Sequence, residues 1–380
     1  MIVEQVYSIV NEITEEVTGN ADLVEKDLSN IVDVGKEVLG ATDVDNYVEA
    51  LTDKIAKVVF INRPYSGNVP SVMMDSWEYG AVVEKVTTEL PEASENESWA
   101  LEDNTEYNPN VFYQPKVDAK FFNNKVTFEI DLSFTEKQVK ESFNSASEIN
   151  SFMTMLYNSV ENSFTVKLDG LIMQTINSMV GETIDGGTAG INAVNLLDDY
   201  NTETGNTLAV GDALKDSNFL KFASMKMTLY VDRLSKISSL FNVGGKKKFT
   251  PRDALKVVML SDFKASANSY LQAVTYNEKY TQLPEAETVP FWQGSGQDYG
   301  FANVSKINVV TGSGKTVEQS GILGVMFDRE ALGVTNLDKR VTTHFNAKGE
   351  FYNNFFKLDC GVFNDVNENF VVFYIAETGV

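Results

Sequence analysis

The fold is decided by residues 145–181, which read SASEINSFMTMLYNSVENSFTVKLDGLIMQTINSMVG. Ser145 can cap the start of a helix with its hydroxyl, and Glu148 stands where it completes a capping box. Apolar residues then keep one stripe over about ten helical turns. They are Ile149, Phe152, Met153, Leu156, Val160, Phe164, Leu168, Leu171, Ile172, Ile176 and Met179. We place the helix end at Gly181, a common stop. At ~1.5 Å per residue this helix is roughly 50–55 Å long, so we predict a structural spine.

The first sixty residues are a separate amphipathic segment with 13 acids and 4 bases, a net charge of −9. Apolar residues recur at spacings of three and four, which predicts short helices. They are Val6, Ile9, Val10, Ile13, Val17, Leu23, Leu28, Ile31, Val34 and Leu39. Gly19, Gly35 and Gly40 divide the segment into pieces too short for a core of their own. We therefore expect residues 1–60 to form an arm that lies along another surface. In an assembly, that surface would belong to a neighbouring copy.

Residues 61–141 predict a long two-stranded excursion with a polar end. A strand over residues 79–89 leads outward. The chain returns through residues 112–117 and the alternating stretch KVTFEIDLSF, residues 125–134. In that stretch one face is apolar. Its members are Val126, Phe128, Ile130, Leu132 and Phe134.

The end of the excursion is an acidic segment, residues 92–108, without apolar periodicity and without a base. Its acids are Glu92, Glu95, Glu97, Glu102, Asp103 and Glu106. We expect it to be exposed and to add little to the fold of one subunit. Trp99 is the expected apolar anchor, because a lone aromatic gains most by filling a partner's pocket. The alternative is a disordered tip with an incidental tryptophan.

Residues 183–330 predict a compact domain of mixed helices and strands. We expect helices over 218–241 and 263–274, a buried strand over 255–260, and paired strands over 301–310 and 321–327. The tail from residue 334 to 375 is rich in aromatics. Its stretch FVVFYI, residues 370–375, is apolar at every position, which predicts a strand covered on both faces.

Composition excludes several classes of protein. The 380 residues are 43% hydrophobic, enough for a substantial core, and the net charge of −23 disfavours wrapping a nucleic acid backbone. The single cysteine, Cys360, excludes a disulfide framework and a zinc cluster and is typical of a reducing cytoplasm. No stretch reaches the roughly 18 apolar residues of a membrane span, and the acidic N-terminus is unlike a signal peptide.

One string is similar to a phosphate-binding loop: TGSGKT, residues 311–316, after the strand-like INVV. The pattern G-x-x-x-x-G-K-[ST] requires a glycine five positions before Gly314, where the chain has Val309. The following sequence, VEQSGILGVMF, predicts a second strand instead of the helix whose N-terminus should face the phosphate. We therefore interpret the string as a hairpin turn.

The rest of the sequence does not indicate a catalytic site. Cys360 and His344 are the only members of their types, and no G-x-S-x-G motif is present. A Cys–His pair is compatible with the spacing, although a buried thiol and an ordinary histidine are the simpler interpretation. Paired acids lie in polar stretches that a solvated face explains. We predict no catalytic residue, no metal ligand and no cofactor.

The dense basic cluster of the chain is Lys246, Lys247 and Lys248, with Arg252 close by. It could meet the acidic segment of another copy of the chain, or DNA. The simpler alternative is that it keeps a turn soluble.

The order of these elements resembles the Hong Kong 97-type major capsid fold, an α+β fold. The C-terminal string GVMFDREALGVTNLDKRVTTHFNAKGEFYNNFFKLDCGVFNDVNENFVVFYI is similar to the endings of phage major capsid proteins, and SGNVPSVMMDSWEYG resembles the start of their extended E-loop. The resemblance implies these regions: an N-terminal arm, 1–60; the E-loop, 61–141; a peripheral domain with the spine helix, 142–182; an axial domain, 183–330; and return strands, 331–380.

The resemblance implies a coat protein that assembles into hexamers and pentamers and forms an icosahedral head around double-stranded DNA. The implied partners are further copies, scaffolding and portal proteins and decoration proteins, with little specific contact to DNA. The implied location is the virion capsid, after synthesis in the bacterial cytoplasm. Candidate contacts between subunits are Trp77, Tyr79, Trp99, Lys246, Lys247 and Lys248. An encapsulin-like nanocompartment and a nucleotide-binding enzyme using residues 311–316 remain the alternatives.

Overall fold

A computed structural model gives the fold. It describes residues 3–19, 23–41, 46–52, 54, 69–74, 83–88, 93, 95–114, 116–274, 283–294 and 306–377. The helices are α1 Val3–Thr18, α2 Ile31–Ala41, α3 at 46–52, α4 Glu136–Ser142, α5 Ala146–Gly186, α6 Leu196–Thr204, α7 Val210–Ala213, α8 Ser217–Leu234 and α9 Ser261–Val274. Short 3-10 turns lie at Pro70–Val72 and Glu97–Trp99.

The strands form four sheets within the described residues. Their bounds are β1 Met73–Met74, β2 Val83–Thr88, β3 Val117–Phe122, β4 Asn124–Thr135, β5 Ala193–Asn195, β6 Leu255–Leu260, β7 Glu287–Val289, β8 Gln293–Gly294, β9 Lys306–Val310, β10 Thr316–Ser320, β11 Ile322–Asp328, β12 Leu332–Asn346, β13 Phe351–Asn364 and β14 Phe370–Tyr374. The sheet orders are β1-β12-β13-β4, β10-β9-β8, β5-β14-β11-β6-β7 and the hairpin β2-β3.

The predicted spine helix is α5. The Ser145 hydroxyl accepts a hydrogen bond from the Glu148 N–H at 3.2 Å, which confirms the predicted start. The predicted end at Gly181 is wrong, because the helix continues to Gly186. Gly181 serves packing instead: a Cβ on it would lie 3.3 Å from Val309 Cβ, so its bare backbone lets β9 approach. At ~1.5 Å per residue the helix is roughly 60 Å long, and it contacts both large sheets.

The N-terminal segment packs within its own chain. Its buried apolar residues are Val6, Ile9, Val10, Ile13, Val24, Leu28, Ile31, Val34, Val38, Tyr47, Val48 and Leu51. The Tyr47 ring lies 5.3 Å from the Phe143 ring, between centroids. The Thr52 hydroxyl donates to Asn354 Oδ1 of β13 at 3.0 Å. The expectation that a neighbouring copy must bury this segment is therefore wrong for the described residues.

The alternating stretch 125–134 lies in β4, which pairs antiparallel with β13. Phe128, Ile130 and Leu132 are half-buried and Phe134 is buried, while the residues between them are exposed, so the predicted alternation is confirmed from Phe128 to Phe134; Val126, also predicted on this face, is exposed. The prediction that the chain returns as a strand through residues 112–117 is wrong. Residues 111–114 lie outside any strand, and β3 pairs with β2.

The five-stranded sheet confirms two predicted strands. β6 has the predicted bounds, and β14 lies buried between β11 and β5. The predicted helix 218–241 is wrong at its end, since α8 stops at Leu234. Serines then favour a turn: the Ser235 hydroxyl donates to Asp232 O at 2.7 Å, and the Leu240 N–H donates to the Ser238 hydroxyl at 3.1 Å.

The predicted pairing of residues 301–310 with 321–327 is also wrong. β9 pairs with β10, whereas β11 joins β6 and β14 in the other sheet. Gly321 causes the break, because its φ of +70° turns the chain between β10 and β11.

Candidate assembly surface

The hairpin β2-β3 is amphipathic in an unusual sense. The side chains of Val86, Val117 and Phe121 are exposed on its outer face. The inner face, which meets the body of the subunit, carries Lys85 and Lys120, and also Phe122, whose ring lies 5.4 Å from the Phe363 ring. A hairpin of a soluble protein normally leaves few large apolar side chains on its outer face. The exposed Val86, Val117 and Phe121 therefore indicate that the outer face is shaped for contact with another surface.

Ion pairs hold the inner face against the body. Lys85 Nζ lies 2.6 Å from Glu368 Oε1 and 3.2 Å from Asp365 Oδ2. Lys120 Nζ lies 2.9 Å from Asp365 Oδ1. Lys248 Nζ lies 2.6 Å from Glu368 Oε1. We call these five residues the hairpin clamp. They join the hairpin to the turn between β13 and β14.

The two carboxylates of the clamp are held in a preformed turn. The side chains of Asp365 and Glu368 are 2% and 5% exposed, so each needs a paired cation to remain charged there. The Asp365 N–H donates to Ala331 O at 2.7 Å, and the Asn367 N–H donates to Asp365 Oδ1 at 3.1 Å. The turn is therefore fixed by the subunit itself, and the lysines of the hairpin dock onto it.

Electrostatics keep the clamp charged. Burial alone would lower the pKa of the Lys85 ammonium, but its hydrogen bond to Glu368 and the surrounding carboxylates outweigh burial and raise that pKa. Burial would raise the pKa of Asp365, but hydrogen bonds from Lys120 and from the Asn367 N–H, with the nearby lysine charges, hold it below its usual value. Both groups therefore stay ionised at neutral pH.

Beyond β2 and β3 lies the hairpin tip, which we define as residues 93–114. Every residue of the tip whose burial the structure describes is exposed. Trp99 is 98% exposed, Phe112 84% and Tyr113 83%. Large aromatic side chains in water are costly at roughly 25 cal/mol per Å². The tip thus offers several apolar anchors, where the sequence had suggested Trp99 alone.

The predicted contact residues fall in three places. Trp77 and Tyr79 lie outside the described residues. Trp99 lies in the exposed tip. Lys246 Nζ pairs with Asp118 Oδ2 of β3 at 3.2 Å, and Lys248 belongs to the clamp. Lys247 is exposed between them. Lys246 and Lys248 thus contact their own subunit, and the role of all three lysines between subunits stays a prediction.

Sequence reasoning missed Lys85, Lys120, Asp365 and Glu368. One signal was available for the hairpin side. Alternation along β3 places Asp118 and Lys120, together with Phe122, on the face opposite Val117 and Phe121, which predicts charged groups on the inner face. No comparable local signal pointed to the buried acids of the turn.

The TGSGKT string is a hairpin turn, as predicted. The Thr311 N–H donates to Lys315 O at 2.9 Å, the Gly314 N–H donates to Thr311 O at 2.8 Å, and Gly314 has a φ of +83°. The turn joins β9 and β10, so its backbone does not form a loop that leads into a helix.

Carboxylates of the spine helix form hydrogen bonds and an ion pair with the polar groups of this turn. Glu182 Oε1 accepts from the Gly312 N–H at 2.5 Å. Asp185 Oδ2 accepts from the Ser313 hydroxyl at 2.7 Å, and Lys315 Nζ lies 3.0 Å from Asp185 Oδ1. Acids in the last turn of a helix oppose its dipole, and these donors offset that cost. The turn therefore secures the end of α5 and presents negative charge where a phosphate would have to bind.

Cys360 and His344 are far apart. Cys360 is buried in β13, and burial raises the pKa of its thiol to about 12. It pairs with Asn336 of β12, and His344 is exposed eight residues further along that strand. At ~3.3 Å per residue the two side chains are roughly 25 Å apart. The structure excludes a Cys–His pair.

The described residues contain no group of three or more His, Cys, Asp or Glu side chains placed to hold a metal ion. In the same part of the chain, no helix combines the length and the apolar character needed to cross a membrane.

A spine helix across two sheets and a projecting hairpin define the class: this is a structural protein with the Hong Kong 97-like capsid fold. The model of the Phi29-like phage major capsid protein family matches residues 7–374. The chain belongs to that family and is a phage major capsid protein. This confirms the resemblance seen in the sequence, including the α+β fold and a place in the virion capsid.

Solved capsid structures share the fold at low sequence identity. A chain of the capsid structure of Staphylococcus phage Andhra is similar with a TM-score of 0.50 at 8% identity, covering 80% of this chain and 82% of that one. A chain from the structure of head fiber and inner core protein gp22 of native bacteriophage P68 has a TM-score of 0.52 at 9% identity, covering 83% and 86%. No curated protein sequence matches the chain. These findings do not favour the nanocompartment or the enzyme.

Proposed function

We propose that copies of this chain assemble into hexamers and pentamers that close into an icosahedral head around double-stranded DNA. The observation that carries the proposal is the hairpin β2-β3 with its tip. It is fixed to the body by a charged inner face and presents apolar side chains to solvent on its outer face and tip. A subunit that keeps aromatics in water gains by burying them on another copy.

Repetition of one such contact builds a shell. A hairpin that binds a different surface of the next copy makes a head-to-tail contact, and such contacts close into rings when the rotation between copies allows it. Rings of five and six copies then tile a closed surface. On this proposal each copy contributes five regions to the shell: the arm, 1–60; the E-loop, 61–141; the peripheral domain, 142–182; the axial domain, 183–330; and the return strands, 331–380.

The charge of the chain fits a wall around DNA. A net charge of −23 per subunit repels the phosphate backbone, so packaged DNA does not adhere to the wall. The protein acts without catalysis, is made in the cytoplasm of the bacterial host, and assembles with scaffolding and portal proteins and with decoration proteins. Each of these partners is part of the proposal.

Negative-stain microscopy and sedimentation of the purified full chain test the proposal, with the scaffolding protein added where the chain alone stays unassembled. We expect hollow shells or sheets of hexamers and pentamers. Since subunits of equal charge repel, raising the ionic strength from about 10 mM to 150 mM should shorten the screening length from about 30 Å to 8 Å and increase assembly. A monodisperse monomer under all these conditions would contradict the proposal.

A further inference from the structure

The first half of strand β6 has an open edge in the five-stranded sheet. On one side, β11 pairs with β6 from Leu255 onward. On the other side, β7 pairs with β6 at residues 258–260. No strand among the described residues lies beside residues 255–257 on the β7 side. We call residues 255–257 the open edge. An unpaired edge of this kind is a template for a further strand.

Two backbone groups face outward from the open edge. The Arg329 N–H donates to Ala254 O at 2.9 Å, so the even-numbered residues of β6 bond to β11 and the odd-numbered ones point the other way. The Leu255 N–H is satisfied, because it donates to Pro251 O at 3.0 Å. The Leu255 C=O and the Val257 N–H are left for a further strand. One residue of an extended ligand that runs parallel to β7 can bond to both.

A groove of about 890 Å³ lies along the open edge. Its other walls come from α8, from the turn before β6, from residues 284–287 and from Ser71. Four half-buried apolar residues line it: Val231, Leu255, Pro284 and Ala286. The groove therefore offers a strand edge and apolar contacts together. Proteins that bind a peptide by adding it to a sheet use this combination.

The groove is also acidic. Asp253 and Glu285 line it, and neither carboxylate has a cationic partner within the described residues. Glu287 accepts hydrogen bonds from the Ser71 N–H at 3.1 Å and from the Ser71 hydroxyl at 2.6 Å. These bonds orient the carboxylate and leave its negative charge in place. The three carboxylates favour a ligand that carries positive charge.

The cations of the lining do not cancel this charge. Arg252 forms an ion pair with Asp232 of α8. Lys256 lies on β6, and alternation along the strand places its side chain on the face opposite that of Leu255. With four acids and two bases, the lining has a net charge of −2.

We propose that the groove binds an extended basic segment of a different protein as a further strand of the five-stranded sheet. The backbone of the segment pairs with the open edge, its apolar side chains cover the apolar lining, and its lysine or arginine side chains meet the three carboxylates. The segment is assigned to a different protein because the dense basic cluster of this chain contacts its own subunit through Lys246 and Lys248. The site goes beyond the proposed function, since it belongs to the folded subunit and is measured without a shell.

Peptide binding to the unassembled full chain tests the site. The probe is a fluorescein-labelled hexapeptide of alternating valine and lysine. One comparison peptide has glutamate in place of lysine, and another is the probe with N-methyl groups on its central backbone amides. The groove variant carries Asp253→Lys and Glu285→Lys. The control variant carries Glu15→Lys and Asp131→Lys, which change the net charge equally at exposed sites elsewhere. Circular dichroism and the unfolding midpoint confirm folding, and fluorescence anisotropy at about 0.1 M salt then measures binding.

We expect the lysine peptide to bind the wild type and the control variant at least about tenfold more tightly than it binds the groove variant. The glutamate peptide should bind the wild type at least about tenfold more weakly. N-methylation should weaken binding by a similar factor, because it removes the donor that the Leu255 C=O requires. The bound lysine peptide should also slow hydrogen exchange of the Val257 amide.

Three results would overturn the site. Equal binding to the groove and control variants would show that the peptide follows net charge alone. Binding that survives N-methylation, or that leaves exchange of the Val257 amide unchanged, would exclude strand pairing at the open edge. Absence of binding by the lysine peptide at millimolar concentration would exclude the groove as a peptide site. In each case shells of the wild type would still support the proposed function, so the two failures are distinguishable.

Discussion

The N-terminal helices and the hairpin tip look alike in sequence, since both are acidic and neither can form a core alone, yet the structure treats them in opposite ways. Helices α1 and α2 bury their apolar stripes within their own chain: they contact each other, α1 contacts the spine helix, and Gly35 of α2 lies against Phe143. The tip leaves Trp99 and Phe112 in solvent. One region thus belongs to the fold of the subunit, and the other is available for the assembly.

Periodicity explains the difference. An apolar residue at every third or fourth position gives a helix one continuous face, and that face can be covered by a flat surface of the same chain. The tip has aromatics without a period, so no regular element collects them on one side. Isolated anchors of this kind fit pockets on a partner better than they fit a shared core.

The largest expected effect comes from removing a core contact of the N-terminal helices. Ile13 is fully buried in α1, and Ile13→Ala should lower the free energy of unfolding by about 2–5 kcal/mol. Denaturation of the unassembled subunit at low ionic strength measures this. Val32 of α2 is exposed, so Val32→Ala is the control and should change the free energy by less than about 0.5 kcal/mol. Equal losses of unfolding free energy in Ile13→Ala and Val32→Ala would show that α1 is not part of the core of the subunit.

A glycine in α2 gives a sharper test, because the expected change in stability on replacing it by alanine is opposite in sign to the change that helix propensity predicts. Replacing glycine by alanine inside a helix normally stabilises by about 1 kcal/mol. At Gly35 the new Cβ would lie 2.5 Å from Phe143 Cβ, so Gly35→Ala should destabilise by about 1–3 kcal/mol. Gly211→Ala in α7 meets open space and serves as the control. Stabilisation by Gly35→Ala would mean that α2 does not pack against Phe143.

The hairpin clamp should show a smaller and local effect. Lys85→Met leaves buried carboxylates with one cation fewer, so protection of the β2 and β3 amides from hydrogen exchange should fall roughly 10-fold to 100-fold, about 1–3 kcal/mol. Lys125→Met, at an exposed site on β4, should leave that protection unchanged. Loss of protection throughout the subunit would show that the hairpin is part of the core.

The same clamp predicts a dependence on pH. The pKa of Asp365 is lowered, so its stabilisation is complete above roughly pH 4 and is lost as the pH falls through the lowered value. The pKa of Lys85 is raised, so its stabilisation is complete below roughly pH 10 and is lost as the pH rises further. Hydrogen exchange of the hairpin, corrected for intrinsic rates, should be slowest between these limits. A hairpin loosened between pH 6 and 8 would contradict the clamp.

Local patterns predicted the elements with long or unbroken signals. The start of the spine helix at Ser145 and the strands β6 and β14 follow from capping and apolar runs. Errors arose where a distant contact decides the outcome. Gly181 lies inside its helix, where its bare backbone lets Val309 approach, and Gly321 sends β11 into another sheet.

The candidate surface was predicted in part. The exposed acidic segment with Trp99 follows from its lack of periodicity. The clamp could not be predicted, because Lys85 and Glu368 are separated by 283 positions and meet only after the sheets form. Likewise, the intramolecular partners of Lys246 and Lys248 depend on where β3 and the turn after β13 come to lie.

The tip itself provides the smallest expected effect on stability and the largest on assembly. Trp99→Ala should leave the unfolding midpoint unchanged and weaken shell formation, since the side chain contacts solvent in the subunit. Tyr270→Ala is the matched control, an exposed aromatic on α9 outside the proposed contact. A similar assembly defect in both variants would show that aromatic loss in general, and not the tip, weakens the shell.

The most direct test of the central claim replaces residues 92–108 by a short Gly-Ser linker and measures unfolding and assembly of the same protein. The account predicts an unfolding midpoint of the unassembled subunit close to that of the wild type, together with loss or strong weakening of shells in negative stain. A much lower midpoint would place this segment in the subunit core, and normal shells would show that the tip is not an assembly contact.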